Sequence, residues 1–266
     1  MGRCLEDLAM IHVASIQMVI SDEGKSTNLK RASDLIDSID QADLILLPEI
    51  WNIGYFAFGS YEDESEELEG PTVSLLKEKA VKKKAFIFGG SFVKRSSGKL
   101  YNTSVLINPK GEVIAQYSKI HLFGFKSEEA TLLTRGTEIC VVKTEIGTFG
   151  LSTCYDLRFP ELYRKMAVMG AEMFLVASAW PVPRIEAWLM LNRVRALENQ
   201  VFLISSNCTG LSRGRQLIGH SMMVDPWGTP MASSGFEECI IQARIDLQKI
   251  NEARNVFPAF TDRVLI

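Results

Sequence analysis

Runs of β-branched and other apolar residues that stop at turn-forming residues recur along the chain. They predict strands at Ile11–Met18, Leu44–Leu47, Phe86–Val93, Met173–Ala179, Val201–Asn207, Ser221–Val224 and Ile240–Ile245. Leu44–Leu47 is wholly apolar, the pattern of a strand covered on both faces. Two pairs of runs read as hairpins. Asn102–Asn108 and Val113–Tyr117 flank Pro109-Lys110-Gly111, and Ile139–Thr144 and Phe149–Thr153 flank Gly147.

Between these runs the apolar period lengthens to that of a helix. Lys25–Ile39 carries Leu29, Ala32, Leu35, Ile36 and Ile39 on one face. Pro71 opens a second helix to about Lys84, at a position where proline's missing donor costs little. Phe159–Met169, Arg184–Asn199 and a short Leu247–Arg254 complete the set. Helices alternate with strands early, and hairpins follow, so an α/β fold with a mixed sheet or two sheets and outer helices is expected. Residues 1–10 read as an N-terminal extension and 11–266 as one domain. Glu62–Glu69 reads as an acidic surface loop, and no repeat or low-complexity linker is visible.

Composition narrows the function. The chain has 266 residues, 47% hydrophobic and 23% charged, with a net charge of −3. A mildly acidic chain is not drawn to nucleic acid or to an anionic membrane, and Lys82-Lys83-Lys84 reads as a solvated helix end. No apolar stretch approaches the ~20 residues of a membrane span, and Met1 to Met10 lacks a signal-peptide run, so a cytoplasmic location is expected. The five cysteines, at 4, 140, 154, 208 and 239, form no C-x-x-C, and the histidines at 12, 121 and 220 are far apart. Neither a disulfide framework nor a zinc cage is expected.

Three segments place a reactive side chain just beyond an apolar strand, where loops build sites. In Leu46-Leu47-Pro48-Glu49-Ile50-Trp51, apolar surroundings would raise the Glu49 pKa and make it a usable base; taken alone, a strand-end glutamate facing water is the better reading. In Tyr117-Ser118-Lys119-Ile120-His121, Lys119 could stabilise an oxyanion, or lay its stem on apolar surface and reach solvent. In Leu151-Ser152-Thr153-Cys154-Tyr155-Asp156-Leu157-Arg158-Phe159-Pro160, Cys154 occupies a strand-to-helix turn. Such a turn exposes the thiol and aims the Tyr155 backbone N–H at the same point, and a nearby cation would favour thiolate. The polar Tyr-Asp-x-Arg makes a plain core segment the poorer reading.

Glu49, Lys119 and Cys154, in this order and these contexts, resemble the nitrilase superfamily of carbon–nitrogen hydrolases. The resemblance runs from about Ile11 to about Phe257 and includes Tyr101-Asn102-Thr103, Gly219-His220-Ser221 and Asp225-Pro226-Trp227-Gly228. It implies a second glutamate between the lysine and the cysteine. Glu129, seven residues before Gly136, fits best, with Glu128 as the alternative, and Ala130 replaces a serine common in relatives. It also implies a four-layer α-β-β-α sandwich of two mixed sheets. Pairing into a homodimer or higher homo-oligomer would use Phe159–Met169, with Leu162, Met166 and Met169 at helical spacing.

The implied chemistry is amide hydrolysis through a thioester on Cys154. Glu49 would be the base, Lys119 and the Tyr155 N–H the oxyanion holders, and Glu129 the residue that orients Lys119. The partners would be a small amide and water, with no metal or organic cofactor. The Cys-Tyr-Asp-x-Arg-Phe-Pro-Glu version resembles the omega-amidase branch, and Ser178-Ala179-Trp180-Pro181-Val182-Pro183-Arg184 is similar to bacterial amidases of methionine salvage. Both favour an omega-amide of a 2-oxo dicarboxylic acid such as 2-oxoglutaramate. Amides of deaminated glutathione or carbamoyl amines are the alternative. Arg184 or Arg158 would take the distant carboxylate, although Arg158 could instead pair with Glu161. Phe56, Phe123 and Trp180 would line the pocket or serve as core. Rival readings are a papain-like hydrolase based on His121 or His220, an acyl transferase, and a non-catalytic scaffold.

Overall fold

The computed structural model describes residues 10–20 and 22–265, so the expected N-terminal extension lies, Met10 apart, outside the described residues. In chain order the strands are β1 (Ile11–Gln17), β2 (Leu44–Leu46), β3 (Phe86–Ser96), β4 (Lys99–Ile107), β5 (Val113–Ser118), β6 (Cys140–Thr144) and β7 (Gly147–Thr153). There follow β8 (Met173–Ser178), β9 (Phe202–Asn207), β10 (Thr209–Ser212), β11 (Arg215–Ile218), β12 (Met222–Val224), β13 (Pro230–Ser233) and β14 (Cys239–Ile245). The α-helices are α1 (Lys25–Asp37), α2 (Tyr61–Glu64), α3 (Pro71–Lys83), α4 (Glu129–Leu132), α5 (Pro160–Val168), α6 (Ile185–Asn199) and α7 (Gln248–Val256).

Two six-stranded sheets form, in the orders β14-β1-β2-β3-β4-β5 and β13-β12-β9-β8-β7-β6. Read from β14 and from β6, both run antiparallel, parallel, parallel, antiparallel, antiparallel. The parallel pairs need crossovers, supplied by α1 and α3 in one half and by α5 and α6 in the other. The two halves thus share one topology without a visible sequence repeat.

The sheets face each other across Val13, Leu44, Leu46, Phe86 and Phe88 on one side and Phe149, Leu151, Leu175 and Phe202 on the other. Leu44–Leu46 is covered on both faces because Ile45 packs outward with Ala32, Ile36, Val73 and Leu76. Outside the second sheet, Phe174, Val176 and Leu203 meet Leu162, Tyr163, Met166 and Trp188. This is the four-layer α-β-β-α sandwich. Truncating one inner phenylalanine to alanine would cost about 3–5 kcal/mol.

Three features differ from the expectations. Within Glu62–Glu69, Glu66 turns inward: it is 5% exposed and accepts from the Thr72 N–H and hydroxyl at the start of α3, with Lys25 at 2.7 Å. A buried carboxylate with these partners ties α1 to α3, which period alone does not reveal. The expected dimer stripe on α5 is split. Leu162 and Met166 are core of their own subunit, whereas Val168 and Met169 are exposed. The lysine run is not merely solvated, since Lys82 pairs with Asp37 and Lys83 donates to the Asp37 and Ile39 carbonyls.

Candidate active site

Each candidate side chain stands where a strand ends. After β2 the chain turns out of the sheet at Pro48, and Ile50 takes a left-handed φ of 41°. Room for that turn comes from the β3 bulge at Gly89-Gly90. A Cβ at Gly90, whose φ is +64°, would lie 2.0 Å from the Pro48 carbonyl oxygen, so only glycine fits. The Glu49 N–H donates to the Ser178 carbonyl (3.3 Å), and the Ile50 N–H to Ser91 Oγ (3.0 Å). Lys119 follows β5, with its N–H on the Asn102 carbonyl and its carbonyl accepting from the Gly136 N–H. Gly136 is required for the same reason as Gly90: a Cβ there would meet the Ser118 carbonyl oxygen at 1.9 Å.

Glu129 begins the single turn α4, while its neighbour Glu128 is exposed. Cys154 follows β7 at φ 49° and starts a 3₁₀ turn, Cys154–Arg158, that leads into α5. A left-handed non-glycine residue is strained, and here it lines a cavity. The turn is fixed by a capping box. Thr153 accepts from the Asp156 N–H, and the Thr153 N–H donates to Asp156 Oδ2 at 3.0 Å. The Tyr155 N–H is among those a helix start leaves without an internal acceptor.

The three folded-in ions meet at one point. Lys119 Nζ lies 2.8 Å from Glu49 Oε1, 2.8 Å from Glu129 Oε1 and 3.0 Å from Glu129 Oε2, and all three residues are fully buried. Asn102 Nδ2 bridges the carboxylates, donating to Glu49 Oε1 (2.9 Å) and Glu129 Oε1 (3.0 Å). Glu49 Oε2 accepts from the Ala179 N–H. Glu129 Oε2 accepts from the Phe123 N–H (2.7 Å) and the Tyr55 hydroxyl (3.2 Å).

The electrostatics follow from this packing. Burial raises the Glu49 pKa above 4.5, against the pull of the Lys119 charge. Burial alone would lower Lys119, but Glu129 and Glu49 override it and hold the ammonium charged well above its ordinary range. Burial, then the charge of Glu49, pushes the Cys154 thiol up, while Lys119 and the Ser178 hydroxyl pull it down. Burial and Glu49 thus favour the thiol over the thiolate, against the pull of the nearby cation. Glu49 is within its hydrogen-bonding reach. Ser178 Oγ has no other partner among the described residues.

Cys154 lies against a cavity of about 430 Å³. Tyr155, Arg158, Trp180, Arg184, Phe123 and Phe56 all line it. Arg158 stacks over Trp180 (5.1 Å) rather than pairing with Glu161, and Arg184 stacks over Phe123 (5.2 Å). Sequence reading missed Arg215, which lines the cavity and stacks over Phe56 (4.9 Å). It also missed Tyr55 and the bridging role of Asn102, whose only sequence signal was the Tyr101-Asn102-Thr103 match. His121 Nδ1 is on Asp156 and His220 packs on Phe236, and neither lines the cavity. A histidine base for Cys154 therefore has no support.

The carbon–nitrogen hydrolase family profile matches residues 12–255. A 2-oxoglutaramate amidase of Paenarthrobacter nicotinovorans is 40% identical over 95% of this chain and 89% of its own length. A 2-oxoglutaramate amidase of Bacillus subtilis is 36% identical over 94% and 96%. The crystal structure of XC1258 from Xanthomonas campestris, a CN-hydrolase superfamily protein with an arsenic adduct in its active site, superposes with a TM-score of 0.90. It is 28% identical and covers 97% of this chain and 98% of its own. A cysteine on a strained turn, two carboxylates around one buried lysine, and a match along nearly the whole length lead to one assignment: the chain belongs to the carbon–nitrogen hydrolase family of the nitrilase superfamily, and it is a hydrolase of carbon–nitrogen bonds.

Proposed function

We propose that this hydrolase is an omega-amidase that cleaves the terminal amide of a 2-oxo dicarboxylic acid, with 2-oxoglutaramate as its substrate, through a thioester on Cys154. The observation that carries the chemistry is the Lys119 ammonium held between two buried carboxylates beside the thiol. The cavity carries the substrate class. Lys126, Arg158, Arg184 and Arg215 line it, and among the described residues no acidic one does. Arg158, Arg184 and Arg215 make no ion pair among the described residues. An amide with a carboxylate at its far end matches that charge, and the two amidases reported above are named for such a substrate.

In this mechanism the Glu49 carboxylate takes the thiol proton as sulfur attacks the amide carbon. A carbon–sulfur bond forms, and the oxyanion is held by the Lys119 ammonium and the Tyr155 N–H. As the carbon–nitrogen bond breaks, Glu49 returns its proton to nitrogen and ammonia leaves. Glu49 then deprotonates a water that attacks the thioester. A carbon–oxygen bond replaces the carbon–sulfur bond, and the proton goes back to sulfur. Glu129 and Asn102 keep Lys119 and Glu49 in register. The reading extends to a cytoplasmic homodimer, its contact centred on the exposed Val168 and Met169 at the end of α5 and Met190 and Leu197 of α6. Ammonia release from 2-oxoglutaramate, deaminated glutathione, glutamine and carbamoyl amines, with Cys154→Ala as control, tests the proposal. Preferential release from 2-oxoglutaramate, abolished in Cys154→Ala, is expected; preference for a neutral or carbamoyl amide contradicts the substrate class.

A further inference from the structure

The β10–β11 ribbon belongs to neither six-stranded sheet. Its position in the shared topology makes that informative. In the first half, β3 passes directly into its antiparallel neighbour β4 through a turn at Ser97-Gly98. The equivalent neighbours in the second half are β9 and β12, and the ribbon interrupts the connection between them. Sheet pairing does not require it, since β12 pairs with β9 regardless.

What the ribbon does is carry Gly214, Arg215 and Gln216 to the cavity above Cys154. It is firmly seated. Ser212 Oγ and the Arg213 N–H donate to the Asp22 carboxylate at 3.0 and 2.8 Å. At its other end Leu217 is buried and bridges to Pro181, and the Ile218 N–H donates to the Trp180 carbonyl. Arg213 lies 3.7 Å from the Asp22 carboxylate in an exposed ion pair. Arg215 has no acid partner among the described residues and rests its guanidinium on Phe56. A second cavity of about 410 Å³ adjoins the first, and Phe56, Lys126 and Arg215 line both. Arg215 therefore stands on the wall shared by the two cavities: the first reaches the thiol, and the second is also lined by Arg213 and Glu128. With the ring as its neighbour and no acid partner among the described residues, the guanidinium keeps its charge and its N–H donors available to an anion.

We propose that Arg215 is a specificity-determining residue, held at the cavity mouth by the β10–β11 ribbon, that binds the carboxylate of the incoming amide. This rests on the reading of an anionic omega-amide as substrate. Arg158 sits on the same turn as the nucleophile and Arg184 at the start of α6, whereas Arg215 alone among the three comes from an element the sheets do not need.

The test compares kcat and KM for 2-oxoglutaramate and for uncharged butyramide in the wild type, Arg215→Gln and Arg215→Lys, with thermal melting confirming that each variant folds. In Arg215→Gln the preference for 2-oxoglutaramate over butyramide should fall about 10- to 100-fold, the loss of a charged hydrogen-bonding contact. A raised KM for the anion should account for that fall. Arg215→Lys, which keeps charge but not the fork, should recover part of it. A wild type that prefers the anion while Arg215→Gln keeps the same preference overturns the role of Arg215. A wild type with no preference instead overturns the substrate reading on which it rests.

Discussion

The hydroxyl of Tyr117 donates to Oδ2 of Asp156 at 2.6 Å, and both groups are buried. Tyr117 lies two residues before Lys119 and Asp156 two residues after Cys154, so this bond joins the strand end that carries the ammonium to the turn that carries the thiol. Asp156 also accepts from the Thr153 and His121 N–H groups and meets His121 Nδ1 at 2.7 Å. His121 is in turn stacked on Phe159, 3.8 Å between centroids. One carboxylate thus ties together two parts of the candidate centre without lining the cavity.

Replacing Asp156 by asparagine keeps the volume but removes the charge and turns one acceptor into a donor facing donors. It should lower stability by about 2–4 kcal/mol, as for a buried charged group left mismatched, and lower kcat more than it raises KM. Thermal melting together with steady-state kinetics checks this. A stable variant with unchanged kcat would show that the bond does not position the centre.

Glu129→Gln is nearly isosteric and removes one of the two charges on Lys119. Breaking one partner of a buried ion pair costs about 3–5 kcal/mol. Because the glutamine oxygen still accepts from the Phe123 N–H, the lower end of that range is expected in denaturant unfolding. Turnover should fall about 100-fold or more, because in the proposed mechanism the ammonium would no longer be held where the oxyanion forms. Wild-type turnover in this variant would remove Glu129 from the machinery.

The acid side of the pH profile should report Glu49. As the proposed base it would work only when ionised, and burial raises its pKa above the ordinary 4.5. As pH falls through that raised value Glu49 takes up a proton, and kcat/KM should fall with it, at a higher pH than an exposed glutamate would give. On the alkaline side, the carboxylates hold Lys119 charged beyond its ordinary 10.5, so lysine deprotonation should not limit the rate near neutrality. A pH series of kcat/KM on 2-oxoglutaramate measures both. An acid limb at or below the ordinary carboxylate value would contradict a buried Glu49 base.

How much of this was legible beforehand depended on how local each feature is. β2 could be read because three consecutive buried leucine and isoleucine side chains need cover on both faces. The ribbon strands Thr209–Ser212 and Arg215–Ile218, and the edge strand Pro230–Ser233, were not recognised: they are short, polar and glycine- or proline-marked, and their pairing is set by tertiary contacts. Glu49, Lys119 and Cys154 each follow an apolar strand, so their positions stood out singly, but only folding brings Glu49 and Lys119, 70 residues apart, into contact. Asn102 and Arg215 carry no such local mark. One is a polar residue inside a buried strand, the other an exposed arginine at the start of a short ribbon strand, and their meaning comes from what the fold sets opposite them.

The central claim is that Cys154 carries the acyl group during turnover. Acid-quenching the enzyme during steady-state hydrolysis of 2-oxoglutaramate, followed by peptide mass analysis, tests it most directly. The account predicts the acyl mass on the peptide containing Cys154, none on the peptide containing the buried Cys208, and loss of both adduct and turnover in Cys154→Ala. An unmodified Cys154 throughout turnover, with activity retained in Cys154→Ala, would contradict it.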